Sequence, residues 1–138
     1  MSIIHGDNRN AAYGLLMLRV VTGLILLQAG YGKVFVQGFD ATVQGFRGMG
    51  LFLPQLTGPL VAVVELVGGA ALTLGIWPRY MGGIFAIQFL VATYAKLVLM
   101  KAGWAAARID LLLIVIGLVF LTNGGGAFGL GQILKKGN

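Results

Sequence analysis

Among the polar side chains that interrupt the apolar stretches of this 138-residue sequence, six have types and positions that define the available chemistry. They are Arg19, Gln28, Lys33, Glu65, Lys96 and Asp110. Ionisable groups inside a membrane are costly, so they normally face a protein interior and find a partner. Cationic side chains stabilise the negative charge of a reduced isoprenoid quinone, and a carboxyl group carries its proton. The set therefore indicates a polar pocket, open sideways to lipid, that hydrogen-bonds the oxygens of a quinone head group.

The same charges also fit a purely architectural role. Pairs such as Arg19 with Glu65, or Lys96 with Asp110, specify helix register and packing when each charge satisfies the other. Both interpretations predict buried charges, and they differ in whether those charges face a ligand.

The sequence lacks the side chains that other redox cofactors require as ligands. There is no cysteine, and the single histidine, His5, lies in a polar leader. Paired imidazoles for a haem, thiolates for an iron–sulfur cluster and a metal-binding donor set are therefore not expected. The chain is then at most one subunit of a quinone-dependent oxidoreductase, whose partner subunit supplies the electrons.

Composition identifies the solvent as lipid. The chain is 58% hydrophobic and only 10% charged, with a mean hydropathy of +0.91, which is too apolar for a soluble domain of this length. The formal charge of +6 comes from Lys and Arg scattered through apolar sequence, without the basic stripe that nucleic-acid binding requires.

Four apolar stretches approach the roughly 20 residues that span a bilayer core. They predict an all-α, four-helix transmembrane bundle in one domain, residues 1–138, with helices at approximately 11–36, 57–76, 80–100 and 105–122. Thr57-Gly58-Pro59 is expected to start the second helix, and Trp77-Pro78-Arg79 to end it. The Gly124-Gly125-Gly126 run is expected to be a helix stop and a flexible exit.

The longest connection contains a repeat, in which Val36-Gln37-Gly38-Phe39 recurs as Val43-Gln44-Gly45-Phe46. The seven-residue spacing predicts a short helix on the membrane surface, with Asp40 as its N-cap. A mobile loop is the alternative. An even number of spans places both termini on one side, and Lys135-Lys136 favours the cytoplasm.

Helical angles and depth indicate which charges converge. At 100° per residue, one face of the first helix carries Arg19, Thr22, Gly23, Leu26, Gly30 and Lys33. One face of the second carries Gly58, Ala62, Glu65, Gly68, Gly69 and Leu72. We expect Gly23, Gly30, Gly68 and Gly69 to let helices approach closely around the charges. Counted depth places Lys33, Glu65, Lys96, Asp110 and Gln28 in one cluster, in the half of the membrane away from the termini, with Arg19 toward the terminal side.

The first two helices carry the motifs that resemble the DoxX family. Leu18-Arg19-Val20-Val21-Thr22-Gly23 and Gly30-Tyr31-Gly32-Lys33-Val34-Phe35 are similar to its opening pattern, and Glu65-Leu66-Val67-Gly68-Gly69 is similar to its Glu-x-x-Gly-Gly. The resemblance spans roughly residues 13 to 126. Ala29 stands where many members have His, and Ala127-Phe128-Gly129-Leu130 departs from the usual ending.

The resemblance implies a four-helix protein of the bacterial inner membrane, surrounded by lipid. In some members it implies a subunit of thiosulfate:quinone oxidoreductase or of a membrane-associated oxidoreductase assembly. Partners are then other membrane or peripheral redox subunits, or further copies of this chain. A purely structural accessory subunit is the alternative, and a small transporter is a third hypothesis that the absence of broken helices disfavours.

Overall fold

The computed structural model describes residues 8–126 and Gly129, and this part of the chain is all-helical. Helix α1 spans Asn8–Tyr31, α2 Phe39–Gly48, α3 Pro54–Leu74, α4 Pro78–Tyr94 and α5 Trp104–Asn123. A π-helical segment, Gly32–Val36, continues α1, and a second, Ala95–Leu99, continues α4. His5, the Lys135-Lys136 pair and most of the last stretch lie outside the described residues.

Four of these helical stretches are long and apolar enough to cross a membrane. They are Arg9–Val36, Pro54–Leu74, Pro78–Leu99 and Trp104–Asn123. Most of their large apolar side chains are exposed on the outside of the bundle, as expected where lipid is the solvent. The predicted four-helix membrane architecture is confirmed, with helix ends within a few residues of those expected.

The start of α3 differs from the prediction. The helix begins at Pro54 rather than near Thr57, with Leu53 as a left-handed N-cap, because proline is favoured in the first helical turn. Its end also comes earlier, at Leu74, where Gly75 takes the left-handed conformation (φ 77°) and donates to Ala71 and Leu72 carbonyls. Pro78 accordingly starts α4 instead of ending α3.

The connection between α1 and α3 contains the predicted short helix, α2, while its location on the membrane surface stays a prediction. The expected N-cap is wrong. Gly38 (φ 85°) occupies the cap position, and Asp40 lies in the first turn without a capping hydrogen bond. Glycine adopts the positive φ that turns the chain out of the π-helical segment at no steric cost.

The bundle is built from two closely packed helix pairs, α1 with α3 and α4 with α5. Glycines set both contacts. A β-carbon on Gly30 would collide with the backbone of Leu66, and one on Gly69 with the backbone of Leu27. In the second pair, a β-carbon on Gly82 would lie 2.5 Å from the Gly117 carbonyl oxygen. These are the close approaches that small residues permit in membrane helices.

The predicted inward faces match the buried residues. All six residues assigned to the inner face of α3 are buried. On α1, those assigned from Arg19 to Gly30 are buried, and Lys33 is partly buried. Leu26, Leu72, Phe85, Phe89 and Phe120 form the apolar core where the two pairs meet. The charges that the sequence placed on these faces therefore point into the protein.

Candidate functional site

Two lysine–carboxylate pairs lie in the half of the bundle away from the termini. Lys33 Nζ lies 2.7 Å from Glu65 Oε1 and 2.9 Å from Oε2. Lys96 Nζ lies 2.7 Å from Asp110 Oδ2. The carboxylates are almost fully buried, with 5% and 7% of their side chains exposed, and the lysines are 27% and 31% exposed. Each acid therefore lies inside the protein, and each ammonium lies at its edge.

The two pairs follow the same local plan. Lys33 is the second residue of the π-helical segment that ends the first span, and Lys96 is the second residue of the segment that ends the third. Each lysine binds a carboxylate on the next membrane-spanning helix, α3 or α5. π-Helical turns are rare in proteins and occur frequently at functional sites.

Both ion pairs line one cavity of about 300 Å³ between the helix pairs. Its wall is mostly apolar and comes from all five helices and the turn after α2. The lining residues are Ile25, Leu26, Ala29, Lys33, Phe46, Met49, Leu51, Val61, Glu65, Gln88, Phe89, Val91, Ala92, Lys96, Asp110 and Leu113. We call this space the far cavity. Apolar walls with a few fixed polar groups are typical of small-molecule sites.

Gln88 is a polar member of the far cavity that the sequence analysis missed. Its Nε2 atom donates to Glu65 Oε1 at 3.1 Å, so Glu65 accepts hydrogen bonds from both Lys33 and Gln88. The available signal was a lone amide in the otherwise apolar middle of α4. Polar residues inside membrane helices mark pathways and sites even when they carry no charge.

Gln28 does not belong to the far cavity. Its side chain is exposed on the outside of α1, although its depth along the helix was counted correctly into the same half. Gln28 lies two residues from both Leu26 and Gly30, which are buried, and two residues turn a helix through about 200°. The inward face of α1 therefore excludes it.

Arg19 lies at the other end of the bundle. It is 2% exposed, and its Nη1 donates to the Gly125 carbonyl oxygen at 2.9 Å. The suggested pairing of Arg19 with Glu65 is wrong. Glu65 pairs with Lys33, and 14 residues of helix separate Lys33 from Arg19, which is about 21 Å along the axis. Arg19 is thus a buried cation that the structure does not bring to the far cavity.

A larger cavity, about 640 Å³, surrounds the terminal end of the bundle, and Arg19 and Arg79 both line it. Arg79 is exposed and donates to the Leu121 and Thr122 carbonyl oxygens at the end of α5. No carboxylate of the described residues lines this cavity. Its arginines bind backbone carbonyls, which is how cations complement the negative ends of helices.

The glycine run after α5 closes this terminal end. Gly124 and Gly125 are buried, and a β-carbon on Gly126 would collide with the Ala12 carbonyl oxygen on α1. The expected helix stop is present, since α5 ends at Asn123 with Gly124 as its cap. The expected flexible exit is wrong, because the segment packs against α1, Arg19 and Pro78.

Two comparisons with known proteins gave matches. The family profile described as DoxX matches residues 14–101 of this chain. CatD of Bacillus subtilis (strain 168), a protein provisionally named an oxidoreductase, is 31% identical over 131 residues, covering 94% of this chain and 93% of the relative. No solved structure gave a significant match. The matched range contains Lys33, Glu65, Gln88 and Lys96, and Asp110 lies beyond it.

Proposed function

Because this chain belongs to the DoxX family, we propose that it is an inner-membrane subunit of a quinone-linked oxidoreductase assembly. It anchors a redox partner, which supplies electrons, and it contributes a quinone site in the far cavity. Both termini face the cytoplasm in this proposal. The name of the relative CatD supports a redox role, and the far cavity supports the quinone site.

One observation carries the quinone site. Two lysine–carboxylate pairs and one amide lie on the wall of a cavity whose other lining residues are apolar. A quinone has an apolar ring and tail and two polar oxygens, so it matches a wall of this composition. The partly exposed lysine ammoniums can donate to those oxygens, and Glu65 and Asp110 are their counter-ions.

Lys33 and Glu65 have different roles in the proposed site. Lys33 carries three donor hydrogens, and Glu65 takes two of its hydrogen bonds, which leaves donor capacity for a head-group oxygen. Glu65 is also the group that would take up or release the proton of a bound head group. Arg19 is not part of the proposed quinone site, because it lies at the terminal end.

The test is quinone retention by the purified protein. Wild-type protein extracted from its native membrane in mild detergent should retain quinone, measured by solvent extraction and chromatography. Glu65→Gln should lower the quinone content about tenfold, since it removes the counter-ion of Lys33. Asp40→Asn is the matched control, because Asp40 is an exposed acid outside the far cavity.

Absence of quinone from the wild type, together with unchanged partner activity in Glu65→Gln, contradicts the proposal. A purely structural accessory subunit is the second candidate, and it is favoured by the 2.7 Å ion pairs, in which each carboxylate already has a lysine as its counter-ion. It predicts that Glu65→Gln lowers the amount of folded protein and leaves the activity per molecule unchanged.

A further inference from the structure

Gln88 has a hydrogen-bonding geometry that neither ion pair shares. It extends from α4 and donates through Nε2 to Glu65 on α3, so this bond joins the two helix pairs across the far cavity. Gln88 is partly buried and belongs to the cavity wall. Its amide is therefore accessible to a ligand in this cavity.

The orientation of the amide is fixed by its partner. Glu65 receives two hydrogen bonds from the Lys33 ammonium, and an ionised carboxylate only accepts hydrogen bonds. Gln88 must then present its NH2 group to Glu65, because the flipped amide would set two acceptor oxygens against each other. Its Oε1 atom is consequently directed away from the carboxylate.

Gln88 Oε1 accepts no hydrogen bond from any residue that the structure describes. A fixed amide oxygen in a largely apolar wall favours a neighbour that donates. The two head-group forms differ at this point: a quinone carries carbonyl oxygens, which only accept, whereas the corresponding hydroquinone carries hydroxyl groups, which donate as well as accept.

We propose that Gln88 makes the far cavity selective for the reduced, hydroxyl-bearing form of an aromatic head group, by accepting a hydrogen bond from a ligand hydroxyl through Oε1. This inference rests on the proposed function, since it names the redox form that the same site prefers. The lysines do not select the reduced form, because an ammonium only donates, and the carbonyl oxygen of the quinone and the hydroxyl oxygen of the hydroquinone both accept. Gln88 is thus a specificity-determining residue of the far cavity.

The experiment compares the two redox forms as ligands of the purified full-length protein. The probes are a short-tailed benzoquinone and the hydroquinone made from it by chemical reduction, each titrated anaerobically in detergent. Wild-type protein should bind the hydroquinone about tenfold more tightly than the quinone, which corresponds to one hydrogen bond to an acceptor on the cavity wall.

The variant that isolates the amide is Gln88→Met, which keeps side-chain length and removes both polar atoms. It should weaken hydroquinone binding about tenfold and leave quinone binding nearly unchanged, so that the preference disappears. Gln28→Met is the matched control, because Gln28 is exposed on the outside of α1. It should keep the wild-type preference. Thermal melting of each variant reports whether the fold is intact.

The outcomes separate this inference from the proposed function. Equal binding of both forms by the wild type overturns the selectivity and leaves the quinone site standing. An equal loss of both forms in Gln88→Met overturns it as well, because the residue then acts only by joining the helix pairs. If neither form binds the wild type, the proposed function fails, and the selectivity fails with it.

Discussion

The two ends of the bundle use cations in different ways. At the terminal end, Arg19 and Arg79 donate to backbone carbonyl oxygens and hold the end of α5 against the rest of the bundle. At the far end, Lys33 and Lys96 pair with carboxylate side chains and line a cavity. A cation bound to backbone fixes the fold, whereas one paired with a side chain at a cavity edge keeps donors for a ligand. The depth of a cation in the bundle and the type of group that it binds therefore indicate whether it stabilises the fold or belongs to a candidate site. Its charge alone does not.

The largest effect is expected where the terminal end closes. Gly126→Ala places a β-carbon against the Ala12 carbonyl oxygen and also adds a side chain at a φ of 79°. We expect a loss of roughly 3 kcal/mol of stability from the collision and the backbone strain together. Thermal melting in detergent measures it.

Gly103→Ala at the far end is the control for Gly126→Ala, because Gly103 has a φ of 89° and a β-carbon added there would have nothing within 4 Å. Strain alone should cost about 1 kcal/mol there. Equal losses in the two variants would mean that the glycine run does not close the terminal end.

A smaller effect is expected for the buried arginine. Arg19→Met leaves the Gly125 carbonyl without this donor and removes a charge-assisted hydrogen bond, so the melting stability should fall by about 2 kcal/mol. Arg79→Met should cost less than about 1 kcal/mol, because Arg79 is exposed. Quinone content per folded molecule should remain that of the wild type in both variants. A selective loss of quinone in Arg19→Met would contradict the division between the two ends.

The smallest change in stability is expected at an ion pair of the far cavity. The double variant Lys96→Met with Asp110→Leu removes both charges, so its stability should lie within about 1 kcal/mol of the wild type. Asp110→Leu alone should cost about 2 kcal/mol, since it leaves the partly exposed Lys96 ammonium without its partner. Melting measures both.

Quinone retention distinguishes a structural role of this ion pair from a role in binding, because the stable double variant should still lose quinone. A double variant that keeps full quinone content would assign the Lys96–Asp110 pair to architecture alone.

Periodicity predicted the fold and the buried faces because membrane helices leave few alternatives. Every residue assigned to the inner face of α3 is buried, Glu65 included. Each residue turns a helix by a fixed angle, so a face follows directly from spacing. The pairing of Lys96 with Asp110, which the sequence suggested, is present in the structure, because the two residues lie at similar depth on consecutive helices.

The remaining features depend on information that spacing does not contain. Gln28 was assigned to the charged cluster from its depth along α1 alone, without its angle around the helix axis. Gln88 lies on α4, whose inner face was not assigned. The π-helical segments that carry Lys33 and Lys96 shift the helix register locally, and no periodic pattern predicts such a shift. The packing of Gly126 on Ala12 is a contact between the two ends of the chain, which neighbouring residues alone do not specify.

Photolabelling with a short-tailed azidoquinone tests most directly whether the far end, and not the terminal end, holds the head group. The labelled protein is digested, and the modified peptides are mapped by mass spectrometry with unlabelled quinone as competitor. We predict competable labels on the segments at residues 46–51 and 88–96, which line the far cavity. Competable labelling at Leu15, Arg19 or Gly124–Gly126, without labels at the far end, would contradict the account.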